Sequence, residues 1–174
     1  MLQAGLGLED QLIAFVRDNI AWAEPLVFAL GFAESIVFVS LLVPSTLLFL
    51  AIGGAHSAAG GELWSMWLAG AAGAFLGDVL SYSLGRYFRA DIAGMWPLSR
   101  KPEWYVIARA FFSRWGALGI VASKFFGMLR PFIPVVAGAM GLKWPVFVLA
   151  SAVSALLWAG VFLSPGYGIR WLVG

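Results

Sequence analysis

Four long stretches of this chain are almost free of charge: residues 25–55, 63–85, 115–142 and 144–169. About 20 apolar residues suffice for a helix to cross a bilayer. A chain with four such stretches has little choice of solvent. Within them stand only four ionised side chains: Glu34, Asp78, Lys124 and Arg130. The rest of the composition agrees. Of 174 residues, 61% are hydrophobic and 11% charged, against roughly 45–50% and 25% in soluble domains. Too few charges remain to coat a soluble globule or to keep a chain disordered. A net charge of +2 offers no footprint for nucleic acid. The expected class is an all-α, multi-pass protein of the cytoplasmic membrane, folded as a single membrane domain over 1–174.

The four stretches differ. Residues 63–85 and 144–169 suit simple tilted spans. Residues 25–55 carry Pro44 near the middle, and 115–142 carry Pro131 and Pro134. Proline removes a helical hydrogen bond and clashes with the preceding turn. Each of these two stretches is too long for one span and too short for two with a loop. The expected geometry is a re-entrant hairpin, with two half-helices meeting at a break that protein or water must cover. Each half of the chain then reads as an amphipathic segment, a broken hairpin and a full span. Repeat 1 covers about 8–88 and repeat 2 about 103–172, joined by a polar central loop at 86–114. Pro44 and Pro134 stand 90 positions apart. Paired broken helices in two inverted repeats are a transporter pattern, with the site at the repeat interface.

Small residues suggest how the spans pack. Ala69, Gly73, Gly77, Ser81 and Gly85 recur every four positions, and Ser151, Ala155 and Ala159 do so more briefly. Such rows let helix backbones approach closely. Six of the eleven Lys/Arg lie in 86–114, which places that loop in the cytoplasm by the positive-inside rule. Residues 1–24 read as an amphipathic surface helix. The lone His56 reads as a solvated loop residue. With no cysteine and one histidine, neither a metal, a cofactor nor an enzyme activity is expected.

A charge at the bilayer centre costs roughly 2.5–3.5 kcal/mol on insertion scales. The four therefore pair, touch water or protonate, and their charges sum to zero. Arg130 precedes Pro131, a residue favoured in the first turn of a helix. A helix N-terminus suits an anion, and a guanidinium matches phosphate with its donor fork. Arg130 and Lys124 are the candidate phosphate-binding pair. Glu34 and Asp78 are the candidate carriers of protons or Na+.

The same residues resemble the DedA family, whose shared region is called the VTT or SNARE-associated domain. The resemblance rests on Glu34 followed by Pro44-Ser45-Thr46, on Gly73-Ala74-Phe75-Leu76-Gly77-Asp78 with Tyr82 and Gly85-Arg86, and on Lys124-x5-Arg130-Pro131-Phe132-Ile133-Pro134 leading to Gly138. Leu157-Trp158 and Gly166-Tyr167-Gly168 fit as well. It covers about 25–168. It implies paired re-entrant hairpins and translocation of undecaprenyl phosphate or a related phospholipid, coupled to protons or Na+. Three departures stand out. Thr46 replaces an acidic residue common in the family, and Lys124 replaces the first of two arginines. The chain also ends soon after Gly168, where many relatives continue with another membrane segment.

Other readings stay open at this stage. They are a non-selective scramblase, and a membrane scaffold or channel that pins its bundle with ion pairs. A homo-oligomer is compatible with each. The spacing Lys124-x5-Arg130-Pro131 also resembles the first motif of phosphatidic-acid phosphatases. It falls one residue short, and the histidines that such chemistry needs are missing.

Overall fold

The computed structural model describes residues 19–36, 45–94, 98–100, 102–127 and 129–173. The expected surface helix within 1–18, and Pro44, lie outside them. Thr46 is described only through its backbone. Among the described residues six α-helices form: α1 Ala23–Glu34, α2 Ser45–Ala58, α3 Leu63–Phe88, α4 Pro102–Ser123, α5 Phe132–Ala139 and α6 Trp144–Val173. There is no strand among the described residues.

Among the described residues, three segments are long and apolar enough to cross a membrane: Leu63–Phe88, Pro102–Ser123 and Trp144–Pro165. The middle one was not expected as a span, and it is not straight. Gly116 sits at φ 54, ψ −130 and bends it, a conformation that only glycine adopts freely. The bend separates the polar part of α4, with Arg109 and Arg114, from the apolar part, Ala117–Ser123. The polar stretch 86–114 is thus less a loop than expected. Short 3-10 turns occupy Arg89–Gly94 and Leu98–Arg100, and from Pro102 the chain is helical.

Helices α3 and α6 run antiparallel. Trp67 Nε1 donates to the Leu156 carbonyl at 2.7 Å, Ser151 meets Asp78, and Tyr82 stacks on Phe147 with centroids 4.1 Å apart. The two shorter helices of the first half attach to different spans. Helix α1 runs parallel to α3, with Phe28 beside Gly73 and Phe32 beside Gly77. Helix α2 runs parallel to α6, with Phe49 edge-on to Trp158 and His56 against Tyr167.

The row of small residues on α3 is used as expected, but it serves two partners. A Cβ on Gly73 would run into the Phe28 carbonyl of α1. A Cβ on Gly77 would meet Phe32 and Ser35. A Cβ on Gly85 would strike the backbone of Val135, on α5. Backbone thus lies on backbone along the whole row, which only small residues allow.

Two hydrophobic cores result. One surrounds α5, with Phe132, Ile133 and Val136 against Tyr82, Phe112, Ile120 and Phe147. The other surrounds α2, with Phe49 and Ile52 against Val27, Met66, Ala155, Trp158 and Leu163. Each of α2 and α5 ends in the same turn. Gly60 N–H donates to Ser57 and Gly61 N–H to His56. Gly141 N–H donates to Gly138 and Leu142 N–H to Ala137. Gly60 and Gly141 both take positive φ, 87° and 75°. This is the Schellman ending, which satisfies carbonyls that a helix terminus leaves open.

His56 corrects the sequence reading. It is buried, not solvated. Its ring lies beneath the Schellman turn, where a Cβ on Gly61 would collide with it. Nδ1 meets the Tyr167 hydroxyl, and Nε2 lies 3.8 Å from the Glu24 carboxylate. Tyr167 follows the apolar part of α6. Burial, and then Glu24, push its phenol up to about 12, so it stays protonated. The partners of His56 come from α1 and α6, far away in sequence, and no local pattern announces them.

Candidate functional site

All four expected charges converge between the two cores. Each is buried: Asp78 is 0% exposed, Lys124 3%, Arg130 6% and Glu34 7%. They form two crossed ion pairs. Glu34, at the last position of α1, pairs with Arg130. Lys124, the first residue past α4, pairs with Asp78 in the middle of α3, with Nζ–Oδ2 2.8 Å. Each pair joins one half of the sequence to the other.

The broken backbone explains why these side chains meet. Helix α4 ends at Ser123, and the described residues 124–127 and 129–131 form turns before α5 begins. Pro131 and Pro134 lack N–H groups, which disfavours a continuous helix through this turn. The end of α4 leaves open carbonyls. Arg130 Nε takes one of them, donating to the Lys124 carbonyl at 3.2 Å. The turn therefore binds its own two cations together.

The expected anion-binding amides at the start of α5 are already used. Phe132 and Ile133 N–H both donate to the Leu129 carbonyl, each at 3.1 Å, and the neighbouring prolines have no N–H. Whatever anion attraction this break has comes from the side chains. Lys124 stands in the turn itself, one residue past α4.

The two pairs are unequally satisfied. Lys124 Nζ reaches Asp78 Oδ1 at 3.0 Å and donates to Ser35 Oγ at 3.2 Å. Ser151 Oγ donates to Asp78 Oδ2 at 2.8 Å. Ser81 Oγ in turn donates to the Ser35 carbonyl at 2.8 Å. Both oxygens of Asp78 thus have partners. Around Arg130 the polar shell is thinner. Glu34 Oε2 is buried without a hydrogen-bond partner among the described residues. The guanidinium lies 4.6 Å over the Trp158 ring and 5.9 Å from Phe162. The Trp158 indole N–H is likewise buried and unpartnered among the described residues.

Several contributors escaped the sequence reading as site residues. Ser151 reads as one of a row of small packing residues, yet its hydroxyl serves Asp78. Ser35 carries no signal beyond standing next to Glu34. Trp158 reads as part of a family pattern, and its contact with Arg130 comes from α6 crossing the break. Gly73, Gly77 and Gly85 hold helices at close range and do not line the charges. Pro131 and Pro134 flank the start of α5 as expected. The described residues contain no cluster of three or more His, Cys, Asp or Glu able to hold a metal ion.

Beside the same turn lies an apolar groove of about 330 Å³, lined by Trp104, Ile107, Phe126, Gly127 and Leu129. The Phe126 carbonyl accepts from Arg130 N–H at 3.1 Å. Groove wall and arginine therefore belong to one hydrogen-bonded turn.

Known proteins resemble this chain along most of its length. A model of the VTT domain matches residues 43–168. An uncharacterized membrane protein of Buchnera aphidicola subsp. Acyrthosiphon pisum (strain APS) is 28% identical over 159 residues, covering 91% of this chain and 62% of the relative. The inner membrane protein YabI of Escherichia coli (strain K12) is 26% identical over 152 residues, covering 87% of this chain and 60% of the relative. An uncharacterized membrane protein of Mycobacterium tuberculosis (strain ATCC 25618 / H37Rv) is 31% identical over 92 residues, covering 51% and 42%. The chain spans about three fifths of the length of the first two. No solved structure matches it. The chain belongs to the VTT-domain family, the DedA family of membrane proteins.

Proposed function

We propose that this VTT-domain protein carries a phosphate-bearing lipid, undecaprenyl phosphate or a related phospholipid, between the leaflets of the cytoplasmic membrane. One observation carries the reading: two buried ion pairs cross at a helix break between two separate cores. A buried pair adds little stability over apolar packing of the same volume. Two of them at a break make sense where their partners can be exchanged. The lipid phosphate competes with Glu34 for Arg130, and Lys124 supplies the second cation. The hydrocarbon tail stays in the bilayer and leaves sideways along the groove at Phe126 and Leu129. Protons or Na+ arriving at Glu34 or Asp78 release the cations and reset the site.

In this reading α1–α2 and α4–α5 are re-entrant hairpins belonging to two inverted repeats. The matching Schellman turns at Gly60 and Gly141 support that symmetry, as does the spacing of 90 positions between Pro44 and Pro134 in the sequence. Inverted repeats let one half rock against the other around a fixed central site. The basic stretch 86–114 faces the cytoplasm. The protein performs no covalent chemistry.

A static role is the competing reading, favoured by the completeness of the Lys124–Asp78 shell. Reconstitution in liposomes separates the two. Leaflet transfer of a labelled polyprenyl phosphate is followed with and without a pH gradient. The expected result is transfer that Arg130→Ala abolishes. Transfer by Arg130→Ala at the wild-type rate overturns the phosphate site. Equal transfer of zwitterionic and phosphate lipids points to a scramblase, and a rate indifferent to the gradient removes the coupling.

A further inference from the structure

We propose that Trp158 is the positioning residue that holds Arg130 in place once the guanidinium lets go of Glu34. The inference rests on the transport reading and names a residue to which that reading gives no part. Arg130 has few places to go. It is buried, its Nε is tied to the Lys124 carbonyl, and its only carboxylate partner among the described residues is Glu34. A buried guanidinium that loses its carboxylate costs several kcal/mol unless something else meets the charge. What else is there is an aromatic face. Trp158 lies 4.6 Å from the guanidinium carbon, and Phe162 lies 5.9 Å away. Indole is the strongest of the aromatic faces for a cation, and desolvation strengthens the contact.

The surroundings fix the ring. Phe49 of α2 meets it edge-on at 4.9 Å, and Phe162 packs beside it at 5.5 Å. The ring is 2% exposed. The charged groups facing this corner are Glu34 from α1, Asp78 from α3, and Lys124 and Arg130 from the turn after α4. Lys124 Nζ also stands over the indole, at 5.9 Å, but its ammonium is already held by Asp78 and Ser35. Of the two cations, Arg130 is therefore the one that leans on the ring. Trp158 keeps the donor fork of Arg130 in place when the carboxylate is protonated or displaced, so an arriving phosphate finds it already aimed. The buried indole N–H, unpartnered among the described residues, adds a donor in the same corner.

The test replaces Trp158 in the full chain by tetrafluorotryptophan, introduced at that codon alone. Fluorination preserves the shape and weakens the ring face. Trp158→Phe and Trp158→Leu complete the series. Transfer of labelled polyprenyl phosphate is measured in liposomes, in the wild-type and Glu34→Gln backgrounds. The fluorinated protein is expected to raise KM about tenfold, which is 1.4 kcal/mol of a contact worth about 2. The maximal rate should change less. Trp158→Phe should fall between wild type and Trp158→Leu. The loss should be larger in a Glu34→Gln background, where the carboxylate is gone and only the ring and the Lys124 carbonyl hold the guanidinium. A fluorinated protein with an unchanged KM in both backgrounds overturns the inference and leaves the transport reading standing. A loss of equal size in the wild-type and Glu34→Gln backgrounds also overturns it, because a merely structural ring would behave so. Wild-type protein that moves no phosphate lipid overturns the transport reading and the inference with it.

Discussion

The two ion pairs lie side by side, yet they are built differently. Lys124–Asp78 is closed: both carboxylate oxygens have partners, and Ser35 and Ser151 fill the remaining positions. Glu34–Arg130 is open: one carboxylate oxygen is bare among the described residues, and the guanidinium rests on carbon. A satisfied buried network rigidifies, and a partly satisfied one is where a structure yields first. On the proposed function the open pair is the one that exchanges first, and the closed pair ties the two halves together until Lys124 is drawn on as the second cation.

The sharpest way to break this division is to remove one partner of the closed pair. Lys124→Ala leaves Asp78 buried without its cation. The expected loss is about 3–5 kcal/mol, read as a lower unfolding temperature in detergent. The double variant Lys124→Met with Asp78→Leu should recover most of that loss, since apolar packing replaces a buried pair at little cost. A double variant no more stable than the single one would deny that the pair is a simple pin.

Next in size is the backbone contact between α3 and α5. Gly85→Ala puts a methyl group against the Val135 backbone. Overpacking of this kind costs typically about 1–3 kcal/mol. The same change at Gly54, where a Cβ would meet nothing, should leave the unfolding temperature near that of wild type.

Glu34→Gln tests the open pair. It keeps the shape and removes the titrating group. Its cost in stability should be smaller than that of Lys124→Ala, because the Trp158 face still holds the guanidinium. Transfer should lose its response to a pH gradient. An equal destabilisation by the two variants would erase the difference between the pairs. Ser151→Ala removes one hydrogen bond to the Asp78 carboxylate and should cost about 1.5 kcal/mol, with no change in the pH profile.

How much of this is written locally in the sequence depends on the reach of each contact. The apolar stretches, the proline breaks and the glycine row are local patterns, and they are readable as such. The four charges are legible as a group because a membrane makes each of them expensive. Which cation takes which carboxylate is not legible. It depends on α1 ending opposite the turn at 130 and on α4 ending opposite Asp78. Ser151 and Trp158 join the site for the same reason, since the antiparallel register of α3 and α6 brings them there. His56 was misplaced because its setting is a Schellman turn closed by Tyr167, more than a hundred residues later. The start of α5 misled in another way. Arg130-Pro131 does mark a helix start, but the turn before it consumes the free amides.

The attachment of α2 to the far span has a consequence for how the protein is made. Residues 45–58 leave the ribosome early, but the wall that they pack against, from Trp158 to Tyr167, is synthesised more than a hundred residues later. The first half therefore cannot finish by itself during translation. Until α6 arrives, Phe49 lacks the Trp158 ring and His56 lacks its hydroxyl partner. The arrival of α6 seats α2 and, in the same motion, brings Trp158 against Arg130.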